Sequence, residues 1–282
     1  MDKLSRTLSA GQADEYELFR GFLQQASGIL LGDNKQYLVK SRLRNIMLEQ
    51  NMQTLNELVV KLRSPGERQL KDAVIDAMTT NETLWFRDTH PFRILQEIIL
   101  PEFAAESATK PIKIWSAACS TGQEPYPVGM IVDEFRKSKP GRLGNVQITA
   151  TDISQTVLDS AKKGEYEMLA IGRGLPPERL RMYFTEQSTG TWRVKPEIQR
   201  MIEFRLLNLL DRYSALGRFD MIFCRNVLIY FSAELKKDII TRMHQVLRPK
   251  GYLILGASES MNGLQDKFEM VQCRPGIIYR AI

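Results

Sequence analysis

Four short stretches carry residue types that could hold a nucleotide-like cofactor. In "IWSAACSTGQEPY" (114–126) an apolar run gives way to the small residues Ala117–Gly122 and then to Glu124 and Pro125. "TATDIS" (149–154) places Asp152 after a second apolar run, where a carboxylate can accept hydrogen bonds from both hydroxyls of a ribose. "LLNLL" (206–210) offers Asn208, whose side-chain amide can pair with an adenine edge, and "FCRNVLIYF" (223–231) adds Arg225, Asn226 and Tyr230. A dinucleotide would want a G-x-G-x-x-G loop so that backbone amides approach a pyrophosphate. Here that loop holds one glycine, Gly122, and nothing suited to phosphate. S-adenosylmethionine (SAM) needs the same ribose carboxylate without a phosphate cradle, and its ammonium and sulfonium favour a nearby carboxylate such as Glu124. The single-glycine loop therefore points to the methyl donor over a nicotinamide dinucleotide, although an acidic residue ending a strand also serves as a plain cap.

These stretches need elements to bring them together. Strands are expected over Ile112–Ser116, Val146–Thr151, Glu203–Leu207, Phe219–Cys224, Tyr252–Gly256 and Ile277–Ala281, with helices near 124–137, 154–163 and 232–247 between them. Ser154 and Ser232 are candidate N-caps, and Gly164 and Gly251 candidate stops. Such alternation predicts a mostly parallel α/β sheet with helices on both faces and ligands at the carboxyl ends of the strands. Residues 165–203 interrupt it with a short helix (Pro177–Phe184) and a polar piece turning at Ser188-Thr189-Gly190, read as a small β insertion. Residues 14–79 carry helical spacing throughout: Tyr16, Phe19 and Leu23; Val39, Leu43, Ile46 and Met47; Leu55, Leu58, Val59 and Leu62; then Leu70, Val74 and Met78 after the Pro65-Gly66 break. Thr54 with Glu57 forms a capping box. Two domains are expected, 1–80 helical and 81–282 α/β.

Composition narrows the function classes. The N-terminal "MDKLSRTLSAGQADEYE" has no apolar leader core, and no run of about 18 apolar residues occurs, so a soluble, non-membrane chain is expected. Three cysteines without a CxxC and only two histidines argue against a disulfide framework or a zinc site, and for the reducing cytoplasm. A net charge of +6 is compatible with an acidic partner, whether nucleic acid, anionic surface or protein, and equally with a solvated basic surface.

Taken in order, "NETLWFRD" (81–88), "CSTGQEPY" (119–126), "ATDIS" (150–154) and "FCRNVLIYF" (223–231) resemble the chemotaxis receptor methyltransferase family, CheR. The resemblance spans the whole chain. It implies a class I, Rossmann-like methyltransferase fold with a small all-helical N-terminal domain and a β insertion. It also implies transfer of methyl from SAM to glutamate side chains on the cytoplasmic methylation helices of chemoreceptors, giving a γ-glutamyl methyl ester and S-adenosylhomocysteine. On the same basis Asn81, Thr83, Arg87, Glu124, Asp152, Asn208, Leu209, Arg225 and Asn226 line the cofactor pocket, Arg87 and Tyr230 lie nearest the transferred methyl, and no metal is involved. Trp85 stands where the family usually has Phe. The hairpin turn at 187–191 is shorter than in members that grip a receptor's C-terminal tether, which argues against tether binding here. A monomer without nucleic acid or membrane insertion is expected.

A glutamate carboxyl has an ordinary pKa of ~4.3, so the nucleophile is already ionised and no general base is needed. That suits a chain with two histidines and no evident triad. Arg87 can hold the carboxylate with its fork and Tyr230 can donate a further bond; the competing readings are a surface salt bridge of Arg87 with Asp88 or Glu82, and core packing of Tyr230. Cys119 and Cys224 read as small residues in tight places, His90 as part of a helix start, and His244 as structural or exposed. The segment "NKQYLVKSRLRNIML" (34–48) carries Lys35, Lys40, Arg42 and Arg44 and no acid. With Val39, Leu43, Ile46 and Met47 facing the core, Lys40, Arg42 and Arg44 fall outside it and are candidates for binding the glutamate-bearing receptor helices. A nucleic-acid methyltransferase and a non-catalytic cofactor-binding adaptor of a signalling array are the alternative functions; against the first, Cys-Arg-Asn-Val replaces the Asn/Asp-Pro-Pro-aromatic signature used for base amines.

Overall fold

A computed structural model describes residues 10–261, 263–274 and 276–282, with side chains from Asp14 onward; residues 1–9 lie outside the described residues. The chain divides into two compact units, one of residues 1–80 with Tyr230–Ser232 and the other of the remainder.

The first unit is built from α1 (Ala10–Ser27), α2 (Gln36–Glu49), α3 (Leu55–Arg63) and α4 (Arg68–Met78). Their apolar stripes meet in one core that includes Tyr16, Phe19, Leu23, Val39, Leu43, Leu58, Leu62 and Val74, while Ile46 and Met47 pack partly buried at its margin. The Thr54 hydroxyl accepts the Glu57 N–H at 3.2 Å and the Glu57 carboxylate accepts the Gln53 N–H at 2.9 Å, so the capping box forms with its return bond one residue earlier than the usual pattern. Lys40 and Arg44 are exposed on α2. Arg42 is not part of a free basic face. Its guanidinium donates to the carbonyls of Met78 and Thr79 at 2.7 and 2.8 Å and to the Thr80 hydroxyl at 3.1 Å. A helix end leaves carbonyls without intrahelical donors, and Arg42 supplies donors to the end of α4. Tyr230 joins this unit through its carbonyl, which accepts the Leu30 N–H at 2.8 Å.

The second unit holds a seven-stranded sheet of β1 (Ile112–Ala117), β2 (Val146–Asp152), β6 (Ile202–Leu206), β7 (Phe219–Cys224), β8 (Leu247–Leu255), β9 (Phe268–Gln272) and β10 (Ile277–Ala281) in the order β6-β2-β1-β7-β8-β10-β9. All pairings are parallel except those of β10 with β8 and β9. The central strands β1 and β7 are buried almost throughout, as expected of parallel strands covered on both faces. β8 begins five residues before the expected Tyr252, crossing "LRPKG" opposite a register shift in its pairing with β7. β9 is an edge strand that the sequence pattern does not announce.

A second, three-stranded sheet, β3-β5-β4, is formed by β3 (Glu165–Glu167), β4 (Phe184–Ser188) and β5 (Thr191–Val194). It is the expected insertion with one additional strand, β3. The helices are α5 (His90–Ile94), which continues through a π turn (Leu95–Ile99) into α6 (Leu100–Glu106), then α7 (Pro125–Ser138), α8 (Gln155–Lys163), α9 (Met168–Ile171), α10 (Pro177–Tyr183), α11 (Pro196–Gln199) and α12 (Ala233–Val246). The Ser154 hydroxyl caps α8 by accepting the Val157 N–H, and Gly164 stops it at φ 62°. No helix among the described residues is long and apolar enough to cross a membrane.

Candidate active site

Sheet register brings the four chemistry-bearing stretches of the second unit to one rim. Ala117 at the end of β1 is level with Thr151 of β2 and with Cys224 of β7; Asp152 is level with Leu206 of β6, and Cys224 with Leu255 of β8. The order of connections reverses between β1 and β7, so the loops after these two strands diverge and open a crevice at the switch point.

The loop after β1 is shaped by backbone rather than by side-chain bulk. Ala118, Ser120 and Gly122 all have positive φ, 58°, 50° and 98°. A Cβ on Gly122 would lie 2.8 Å from the Tyr166 hydroxyl and 2.9 Å from the Tyr126 ring, so the lone glycine serves close packing as well as conformation. Tyr166 donates to the Thr121 carbonyl at 2.6 Å, and the Ser120 hydroxyl donates to the Asn81 carbonyl at 2.9 Å. Asp152, only 6% exposed, accepts the Ser120 N–H at 2.8 Å and the Ser154 N–H at 3.0 Å. The Asp152 side chain is thereby held by backbone amides at the end of β2, between the loop after β1 and the start of α8.

Arg225 is the hub of the rim. Its side chain is 2% exposed. One terminal nitrogen donates to Glu124 at 3.0 Å; the other donates to the Asp88 carboxylate at 2.8 Å and to the Arg87 carbonyl at 2.7 Å. Its guanidinium carbon lies 5.6 Å from the centre of the Phe92 ring, and its Nε has no hydrogen-bond acceptor among the described residues. Glu124 also accepts the Ser116 hydroxyl at 2.7 Å. Burial pushes the Glu124 carboxyl above its ordinary range, against the opposing pull of Arg225 and Ser116. The expected meeting of Glu124 and Arg225 at one rim is seen, but as a direct ion pair that spacing in the chain does not reveal. Two carboxyl groups, Asp88 and Glu124, thus meet one guanidinium.

The "WFRD" turn is consequently tied down. Phe86, Asp88 and Thr89 all adopt positive φ, between 47° and 65°. Trp85 is buried, donates from Nε1 to the Ala170 carbonyl at 3.1 Å and packs edge-on against Tyr166 and Phe184, so the larger ring fills a place in the small sheet's core. The salt bridge considered for Arg87 does not form: Asp88 is committed to Arg225, and the half-buried Arg87 side chain makes no hydrogen bond or ion pair with any described residue. Asn81 and Thr83 are half-buried in the same segment.

Asn208 closes its own turn by accepting the Leu210 N–H at 3.0 Å, and Leu209 beside it is buried. Asn226 sits at φ 59° directly after Arg225. Tyr230, half-buried in a 3₁₀ turn (Leu228–Tyr230), is grouped with the helical unit. Three rim residues escape sequence reasoning: Ser116, Asp88 as a partner of Arg225, and Glu259. The last accepts the backbone N–H groups of Asn226, Leu228 and Gly256 at 2.9, 2.8 and 2.7 Å. Cys119 and Cys224 are buried with their thiols pushed well up by burial, which suits packing and not nucleophilic chemistry. His90 contacts the Asp88 carbonyl at a helix start, and His244 packs edge-on against Phe268. No group of three or more His, Cys, Asp or Glu among the described residues is arranged to hold a metal ion.

Residues 81–277 match the family model described as CheR methyltransferase, SAM binding domain, and residues 14–79 match that described as CheR methyltransferase, all-alpha domain. The chain is similar to Chemotaxis protein methyltransferase 1 of Pseudomonas aeruginosa, 57% identical over 275 residues that make up 97% of this chain and 100% of the relative. It is 55% identical to Chemotaxis protein methyltransferase Cher2 of Pseudomonas putida over the same shares of both chains. A more distant relative, the Chemotaxis protein methyltransferase of Salmonella typhimurium, is 34% identical over 88% of this chain and 84% of its own. With both family domains in order and the two Pseudomonas relatives matched over their full length, the chain belongs to the CheR family of SAM-dependent methyltransferases.

Proposed function

We propose that this chain transfers methyl from SAM to glutamate side-chain carboxylates on the cytoplasmic methylation helices of chemoreceptors. The observation that carries the reading is the state of Arg87. Its backbone carbonyl is bonded to Arg225, yet its own neighbouring acid is taken by Arg225 and its side chain has no partner among the described residues. A half-buried guanidinium left unpaired beside the rim suits a carboxylate supplied by a substrate.

The donor set fits the cofactor. Asp152 is the carboxylate for the ribose, Asn208 and Leu209 flank the adenine, and the two carboxyl groups of the Arg225–Asp88–Glu124 cluster suit the cationic end. Asn81, Thr83 and Asn226 complete the lining. SAM supplies an electrophilic methyl on a sulfonium. The chain's residues do the rest by position: Arg87 and Tyr230 orient the incoming carboxylate, and holding reactants in line is worth ~7–11 kcal/mol in favourable cases. No proton has to be removed, because the glutamate is ionised at neutral pH. Lys40 and Arg44, exposed on α2, supply positive charge for a glutamate-bearing helix. The chain acts in the cytoplasm as a monomer, its 1–80 segment recognising receptor and 81–282 performing transfer.

The test is incubation of the protein with methyl-labelled SAM and a receptor cytoplasmic fragment. Label that becomes volatile methanol in base identifies a carboxyl methyl ester. Stable label on the fragment, label on nucleic acid instead, or no transfer at all would overturn the proposal.

A further inference from the structure

We propose that Glu259 is a positioning residue for the cofactor rim: its carboxylate, bonded to the amides of Asn226, Leu228 and Gly256, sets the backbone from which Arg225 and Asn226 act. The proposal rests on the assignment of those two residues to the cofactor. Beyond Cys224 the chain leaves the sheet and turns sharply, with Asn226 at φ 59°. A turn of this kind leaves amides without ladder partners, and unsatisfied buried amides are costly. Here a single side chain takes three of them. One carboxylate oxygen accepts from Asn226 at 2.9 Å and Gly256 at 2.7 Å, and the other accepts from Leu228 at 2.8 Å. The Glu259 N–H itself donates to the Gly256 carbonyl at 3.0 Å, which closes residues 256–259 into a turn of their own.

Gly256 is the second half of the device. A Cβ there would lie 2.7 Å from the Glu259 carboxylate, 2.8 Å from the Asn226 nitrogen and 3.0 Å from the Asn226 side-chain amide. Only glycine lets the loops after β7 and β8 meet closely enough for one carboxylate to serve both. An ionised carboxylate is acceptor-only, so both oxygens can face N–H groups; a carboxamide of the same shape must turn an NH2 toward at least one of them. Glutamine is therefore nearly isosteric and chemically wrong at this place.

The experiment compares the full-length wild type with Glu259→Gln, Glu259→Asp and Gly256→Ala by calorimetric titration with S-adenosylhomocysteine, alongside the KM for SAM, the KM for a receptor fragment and the melting temperature. Glu259→Gln and Gly256→Ala are expected to weaken cofactor binding at least tenfold (about 1.4 kcal/mol) and to raise the KM for SAM alike, with the KM for receptor unchanged. Glu259→Asp, which keeps the charge but reaches fewer amides, should fall between. Wild-type cofactor affinity in the glutamine or alanine variant overturns the proposal. So does a fall in melting temperature with unaltered affinity, the signature of a merely structural role. If the glutamine variant does not fold, the aspartate and alanine variants decide on the same criteria. A wild type with no affinity for the cofactor would instead overturn the site assignment, before any variant is compared.

Discussion

Replacing Arg225 by methionine tests whether the rim is held by charge. Methionine keeps an apolar stem against Phe92 but removes every donor, leaving Glu124 with its Ser116 bond and Asp88 without its cation. A buried carboxylate that loses its partner can escape by taking up a proton, which caps the electrostatic penalty. At pH 7, protonating a carboxyl of ordinary pKa ~4.3 costs about 3.7 kcal/mol; at pH 5 it costs about 1 kcal/mol. Loss of the bond to the Arg87 carbonyl adds ~1–2 kcal/mol that does not vary with pH. The sign follows from the direction of the Glu124 shift. Burial already raises this group in the native protein, and without Arg225 it rises further, so the folded variant binds a proton that the unfolded chain does not. Its stability is greatest at low pH and is lost as pH climbs through the window above ~4.3. Arg225→Met should therefore be about 5 kcal/mol less stable than wild type at pH 7, in line with other broken buried pairs, and only about 2 to 3 kcal/mol less stable at pH 5. Urea denaturation at the two pH values measures both, with tryptophan fluorescence as the probe because Trp85 and Trp115 are fully buried in this unit. A stability difference that is the same at both pH values would refute the charge argument and leave lost packing as the cause.

The other expectations concern single roles on the rim and on α2. Asp152→Ala should weaken SAM binding in a folded protein, since charged hydrogen bonds contribute ~1.5–3 kcal/mol each; unchanged affinity by calorimetry would dismiss the ribose assignment. Arg87→Ala should abolish most methyl transfer and Arg87→Lys should restore little, because a point charge does not replace a planar fork. With no side-chain partner among the described residues, Arg87 should cost under about 0.5 kcal/mol of stability when removed, so a large fall in melting temperature would contradict its assignment to substrate. Lys40→Glu with Arg44→Glu should leave cofactor affinity intact while sharply lowering receptor methylation, and normal methylation by this variant would remove α2 from the recognition surface. Arg42→Glu differs in kind: it takes donors from the end of α4, and thermal melting should show the helical unit destabilised by ~1–2 kcal/mol.

The sheet was legible in the sequence because its central strands are buried on both faces and therefore appear as unbroken apolar runs, each ending in a residue with chemistry: Ile112–Ala117 before the small-residue loop, Val146–Asp152 ending in its acid, Phe219–Cys224 before Arg225. Where burial fades, so does the signal. β9, "FEMVQ", is a mostly exposed edge strand paired on one side by an antiparallel neighbour, with Glu269 and Met270 both exposed. β3 is three residues long with only Tyr166 buried. The start of β8 is hidden because "RPK" breaks the apolar pattern while the strand passes a register shift.

Pairing was the part that could not be read. Residue types foretold that Arg225, Glu124 and Asp152 gather at strand ends, but not which side chain answers which. Arg225 finds partners 101 and 137 residues away, and Asp88, adjacent in sequence to Arg87, turns instead to Arg225. The same rule governs α2, where helical periodicity correctly places Arg42 outside the apolar stripe and still misses that chain folding carries the end of α4 to it, 36 residues on. An exposed face inferred from periodicity records only what a helix does not bury against its own core. Whether a charge on that face is available to a partner depends on orphaned carbonyls and carboxylates delivered from elsewhere. Arg42 and Arg87 part on this ground: the arginine on the solvent face is committed to a helix end, and the one beside an acid has no side-chain partner among the described residues. Chemistry at the rim therefore rests less on which charged residues are present than on which of them the fold has already neutralised.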